Sequence, residues 1–178
     1  MSVGVYGSDK TKANRMDFRA EDYYRAAAER MRQARQVHHA GGNYALAMYC
    51  AGLAVECILR AFRWEKDKSF EGRHDLGDLL KASDLLHINE EWMRQQGHSE
   101  EKIIQYTLSL RAAMSEVVIL WHNNLRFASE NRLRAFLNKL GRLAGIKGDA
   151  LKKNALDLLN AAQTVVDRGV VLWISRKK

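Results

Sequence analysis

The sequence contains no proline. At the usual frequency of about 5%, roughly nine would be expected in a chain of this length. Proline removes a backbone donor and clashes inside a helix, so its absence suits a chain that is nearly all helix. Cysteine is scarce: Cys50 and Cys57 are the only two. Seven residues along a helix span roughly 10 Å, beyond the Cα separation of up to about 7 Å that a disulfide tolerates. Two buried free thiols are therefore expected, and with them a reducing, cytoplasmic compartment. The segment Met1 to Asn14 has no apolar core of the kind a secretory signal needs. No uninterrupted apolar run approaches the length of a membrane-spanning helix, so no membrane association is expected.

What is present fits a single globular domain. The 178 residues can bury a sizeable core, and 47% apolar with 28% charged residues is ordinary for such a domain. The net charge is +8, and it is unevenly placed. Between positions 126 and 153 stand eight bases (Arg126, Arg132, Arg134, Lys139, Arg142, Lys147, Lys152 and Lys153) against two acids, Glu130 and Asp149. Such a segment attracts polyanions through counterion release. The alternative is a solvated helix surface that happens to be basic.

Residues 1–16 read as a flexible polar arm, residues 17–175 as one helical domain, and residues 176–178 (Arg176, Lys177, Lys178) as a basic tail. Asp17 is a plausible N-cap for a first helix whose stripe is Tyr24, Ala27, Ala28, Met31, Ala34 and His38, stopped by Gly41-Gly42. Asn43 can cap a second helix that is apolar all round and rich in small residues, as expected of the centre of a bundle. It ends in a loop from Lys66 to Gly72. Asp75 starts a short helix to about Leu86, and Asn89 to Gln96 forms another, closed by Gly97. Ser99 caps a long helix with the stripe Ile103, Tyr106, Leu110, Met114, Val117 and Trp121. After a loop from His122 to Ala128, Ser129 caps a helix with Leu133, Phe136, Leu137 and Leu140 inward. Gly141, Gly145 and Gly148 break it. Asp149 caps the last helix, with the stripe Leu151, Ala155, Leu158, Ala162, Val165, Gly169 and Leu172. The expected fold class is all-α, an antiparallel up-and-down bundle of about five to six helices with short connections.

Glu56 stands out. It lies in an apolar stretch, and a buried carboxylate needs a partner to stay charged. Arg60, four residues on, is its helical neighbour, and His74, Arg111 or Arg126 are further contacts. The structural reading is a polar staple between the second and third helices. The functional one is a polar cluster of Glu56, Arg60, His74 and Arg126 lining a site. His38, His39 and His74 have no acidic or cysteine ligand at metal-site spacing, so neither a metal nor another cofactor is expected. No phosphate-binding glycine loop, nucleophile elbow or nucleotidyltransferase motif is present. The four tryptophans read as core or interface residues rather than a base-stacking platform.

Four pieces, in order, resemble the HEPN family. They are Gly41-Gly42-Asn43-Tyr44-Ala45-Leu46-Ala47; Ala54-Val55-Glu56-Cys57-Ile58-Leu59-Arg60-Ala61, similar to the family's A-x-E-x-x-L-K-A helix; His74-Asp75-Leu76-Gly77-Asp78-Leu79-Leu80, similar to H-D-L-x-x-L-L; and Trp121-His122-Asn123-Asn124-Leu125-Arg126-Phe127, similar to a W-x-x-x-x-R-Y turn. The resemblance implies a helical bundle and a homodimer. It also implies RNA or nucleotide as ligand and a minimal nucleotidyltransferase as a protein partner in a toxin–antitoxin or defence system. Ribonuclease members carry R-x(4–6)-H near the end of the fold. Here that spacing occurs only at Arg32 with His38 or His39, in the first helix. Arg111 and His122 stand nearer the expected position, but eleven residues along a helix is roughly 16 Å, so they could act together only across a dimer. Three functions follow as expectations: an atypical, non-catalytic HEPN protein that binds RNA, nucleotide or a protein; a metal-independent endoribonuclease toxin with a displaced Arg/His site; and a purely structural interaction module.

Overall fold

The computed structural model describes residues 18–67 and 74–176. The expected N-terminal arm, the Asp17 cap, most of the loop after Lys66, and Lys177 and Lys178 of the tail lie outside these residues. Seven α-helices and one 3-10 turn are present, with no strand among the described residues: α1 (Ala20–Ala40), α2 (Tyr44–Lys66), α3 (Leu76–Ser83), α4 (Leu85–Gln95), α5 (Glu100–Leu120), the 3-10 turn (Asn123–Phe127), α6 (Glu130–Lys139) and α7 (Ala150–Ser175).

The helix ends follow local chemistry. The side chains of Asn43, Asp75, Ser99, Ser129 and Asp149 each accept a backbone N–H from the first turn of α2, α3, α5, α6 and α7. α1 begins at Ala20 with Arg19 as its cap residue, and the Asp22 carboxylate accepts the Arg19 N–H at 2.9 Å. That bond and the Arg19 charge hold the Asp22 carboxyl below the usual carboxylate range. Gly41 and Gly42 both take φ of 75°, which turns the chain from α1 straight into α2. The expected helix from Asp75 to Leu86 is instead divided. Asp84 adopts the left-handed conformation (φ 59°, ψ 22°), ends α3 and starts α4. Its carboxylate receives Lys66 Nζ at 2.9 Å, tying this break to the end of α2.

α2 is the axis of the bundle. It packs against α1, α7, α3 and the 3-10 turn, while α5 packs on α7 and α4. Met48, Ala51, Val55, Ile58, Leu59 and Phe62 are fully enclosed. Two glycines set the closest approaches. A Cβ on Gly169 of α7 would lie 2.3 Å from Ile58, and one on Gly52 of α2 would lie 1.9 Å from the Trp121 ring. Trp173 stacks on Tyr24 at 5.5 Å and meets Phe62 edge-on at 5.6 Å, closing the far end of the core.

Some stripe positions shift. Ala28 and Tyr106 are exposed, and Thr107 takes the buried place on α5. On α6 only Leu133 and Leu137 enter the core; Phe136 is half-buried and Leu140 is exposed.

By length and composition α2 and α5 could each cross a membrane, although neither is an unbroken apolar run. They use that apolar surface differently: 78% of the most apolar window of α2 is buried, but only 33% of that of α5. The outer side of α5 therefore carries Ile104, Leu108, Val118 and Ile119 to the surface.

Candidate nucleic-acid interface

The segment after α5 is held from below. Trp121 leaves the helix in an extended conformation, lays its indole over Gly52, and donates from Nε1 to the Tyr49 carbonyl at 3.1 Å. The next residue, His122, caps the 3-10 turn: its Nδ1 accepts the Asn124 N–H at 3.1 Å. Leu125 is buried and anchors the turn in the core. With one side of so short a turn fixed, the following residues face outward. Phe127 is 76% exposed, and the Arg126 guanidinium lies 4.6 Å from its ring centroid, within cation–π distance.

Between this turn and α6 lies a cleft of about 830 Å³, lined by His122, Asn124, Leu125, Phe127, Ala128, Arg132, Ala135, Phe136 and Lys139. Arg132, Ala135, Phe136 and Lys139 fall at helical spacing, so α6 presents one mixed basic and aromatic stripe to it. The expected basic segment divides in two. Arg142 pairs with Glu116, and Lys153 with Asp157 at 3.2 Å. Arg126, Arg132, Arg134, Lys139, Lys147 and Lys152 are exposed and form no ion pair among the described residues.

A smaller groove of about 240 Å³ adjoins the cleft. Its lining includes His74, Val118, Trp121 and His122, so His122 belongs to both depressions. Beneath it, the buried Glu56 carboxylate receives Arg60 Nε at 2.7 Å and His74 Nδ1 at 2.9 Å on each oxygen. Glu56, Arg60 and His74 thus meet and join α2 to the residues just ahead of α3. Arg126, the fourth residue expected in this cluster, instead stands on the solvent side of the turn against Phe127.

The two histidines are fixed in opposite senses. A carboxylate only accepts, so His74 donates from Nδ1 and its neutral ring keeps an acceptor at Nε2. A backbone N–H only donates, so His122 accepts at Nδ1 and its neutral ring carries the proton on Nε2.

No hydrogen bond joins Arg111 to His122, or Arg32 to His38 or His39, among the described residues. Arg111 lines a groove of about 580 Å³ with Leu80, Asp84, Met114 and Val118, and Val118 also lines the smaller groove that includes His122. Arg32 points to solvent, whereas the Nε2 of His38 donates to the Lys152 carbonyl on α7 at 3.1 Å. Cys50 and Cys57 are free and buried. Burial, with Glu56 adjacent, pushes the Cys57 thiol up to about 12. Among the described residues no three His, Cys, Asp or Glu side chains gather at metal-binding distance.

Sequence reasoning missed Phe127 and Phe136 as cleft residues. The available signal was an Arg-Phe pair in a polar turn, followed by a phenylalanine between two bases on one helix face. Comparison with known families matches residues 20–116 to the HEPN domain. Neither a curated protein nor a solved structure matches the chain. The matched span stops within α5, so the 3-10 turn, α6 and α7 lie beyond it.

Proposed function

The chain belongs to the HEPN family, and from that premise we propose that it is an atypical, non-catalytic member that binds RNA through the cleft between the 3-10 turn and α6. One observation carries the reading: Arg132 and Lys139, unpaired with any described carboxylate, line a cleft that also exposes Phe127 and Phe136. Cations held free of internal partners release counterions when a phosphate backbone arrives. The non-catalytic part is supported by the bond that engages His38. It is also supported by the His122 tautomer, whose Nε2 is a donor and therefore no general base.

The test is RNA affinity measured across salt. A log–log slope that falls by about 0.7 to 0.9 for each phosphate contact removed, on Arg132→Ala and Lys139→Ala, supports the reading. A flat salt response would remove it and leave the purely structural interaction module.

The exposed apolar side of α5 supports a homodimer formed through Ile104, Leu108, Val118 and Ile119. A minimal nucleotidyltransferase, in a toxin–antitoxin or defence pair, is the protein partner that family membership suggests.

A second reading, metal-independent ribonuclease, has its own observation. Glu56 holds His74 as a carboxylate holds a general-base imidazole, at a groove whose lining includes the donor His122. Its residues would be His74 and His122 rather than Arg111 or Arg32. Incubation with tRNA in a chelator, beside His74→Ala, decides: no cleavage by the wild-type protein ends this reading.

A further inference from the structure

We infer that the cleft takes an unpaired, single-stranded RNA segment, with one base stacked on Phe127 and the flanking phosphates on Arg132 and Lys139. This rests on the RNA-binding reading above and specifies the form of the ligand.

Phe127 is the most exposed large apolar side chain among the described residues, at 76%. An aromatic ring left in water on a fixed turn is a ready stacking platform, because every unpaired base has a π-face. The ring is already positioned. Leu125 anchors the turn, the His122 cap closes it, and the Arg126 guanidinium covers the ring at 4.6 Å. Little side-chain freedom is then left to lose on binding. Phe136 adds a second aromatic surface inside the cleft.

The cations flank Phe136 on α6, in the cleft that Phe127 also lines. Arg132 and Lys139 lie two turns apart on one face of α6, roughly 10 Å along its axis, with Phe136 between them. That order of cation, ring and cation follows a strand whose bases turn toward the protein while its phosphates run alongside. Asn124 and the Nε2–H of His122 supply neutral hydrogen-bonding groups to base edges or phosphate oxygens in the same cleft. A duplex would satisfy the cations but not the rings, since its bases are already stacked and paired. The residues lining the cleft lie outside the matched span 20–116, and the turn that carries Phe127 resembles the family's W-x-x-x-x-R-Y turn.

The experiment compares fluorescence anisotropy of a labelled oligoadenylate of about twelve nucleotides with that of an RNA duplex of similar length. Wild type, Phe127→Ala, Phe127→Trp and the Arg132→Ala/Lys139→Ala double variant are measured. Phe127→Ala is expected to lose about 5- to 100-fold on the single strand and little on the duplex, while Phe127→Trp retains binding. The double variant should weaken both ligands. Equal loss on both RNAs, or no loss, for Phe127→Ala overturns the stacking site while RNA binding stands. If wild type binds neither RNA, the RNA-binding reading falls as well. A change of oligomeric state in Phe127→Ala, read by sedimentation, makes the ring a protein contact and also overturns the proposal. Because Phe127 lies at the surface, its variants are expected to keep the helical circular dichroism of the wild type.

Discussion

Replacing Gly52 by alanine sets helix propensity against tertiary packing, and the two predict opposite signs. Gly52 lies inside α2, where alanine is favoured over glycine by about 0.8–1.0 kcal/mol. On propensity alone the variant would be more stable. A Cβ at this position would, however, stand 1.9, 2.2 and 2.3 Å from three atoms of the Trp121 indole. The indole is pinned there by its bond to the Tyr49 carbonyl. Overpacking of this kind costs about 1–3 kcal/mol. Swinging the ring away forfeits a hydrogen bond worth about 0.5–1.5 kcal/mol. Packing wins, and a net destabilisation of about 1–3 kcal/mol is expected in urea denaturation followed by circular dichroism. In a Trp121→Ala background the clash is gone, so the same substitution should stabilise by about 1 kcal/mol. The folded Gly52→Ala protein should also bind RNA more weakly, since Trp121 leads directly into the 3-10 turn. A Gly52→Ala variant as stable as the wild type, or more so, would refute the reasoning.

The other predictions concern the staple, the buried thiol and the exposed face. Glu56→Gln removes the charge that Arg60 and His74 share; with the carboxylate side chain 3% exposed, a loss of about 2–4 kcal/mol is expected in the same denaturation, and a loss under about 1 kcal/mol would make the staple a surface-like pair. With its thiol held at about 12, native Cys57 should react with iodoacetamide at pH 8 about a thousand times more slowly than an unfolded thiol near 9; equal rates would contradict its enclosure. The same shift makes folding weaken as pH rises. The unfolded thiol ionises from about 9 upward while the native one keeps its proton to about 12, so stability is lost across that window, and Cys57→Ala should reduce the alkaline loss. Leu108→Glu and Ile119→Glu should convert a dimer to monomers in sedimentation velocity without lowering the melting temperature by more than a few degrees, because both side chains already face out.

The fold was legible where one segment carried its own evidence. α2 is apolar on every side, and such a helix can satisfy itself only at the centre. The capping residues Asn43, Asp75, Ser99, Ser129 and Asp149 act within three residues of themselves, so sequence reveals them. Glu56 was visible because a carboxylate in an apolar helix demands partners, one of which is fixed by helical spacing. The break at Asp84 was not legible, because no glycine or proline marks it and its left-handed conformation accompanies a tertiary bond to Lys66. On α5, apolar residues occupy both sides, so periodicity admitted Tyr106 to a stripe in which Thr107 takes the buried position. The cleft was illegible for a related reason. Whether Phe127 is inside or outside depends on Leu125 and Trp121 holding the turn from below, and those contacts reach across the chain to Tyr49 and Gly52.

That dependence joins the two halves of the molecule. Residues 20–116 carry the family match, and the turn, α6 and α7 lie beyond it. The seam runs through Trp121, which rests on Gly52 inside the matched span and directs His122 outside it. His122 in turn lies at both depressions, and its ring is committed by the Asn124 N–H. A histidine that must change tautomer to accept a proton at Nε2 would have to give up the cap of the turn that presents Phe127. Base catalysis at that atom therefore works against the surface that would hold the RNA, whereas donating from Nε2 strengthens it. His74 carries no such conflict, because its Nδ1 is spent on Glu56 and, in the neutral ring, Nε2 is the acceptor. On the ribonuclease reading through His74, cleavage is expected to be lost in His74→Ala with RNA affinity retained. His122→Ala, by contrast, loosens the turn and lowers affinity whether or not the chain cleaves.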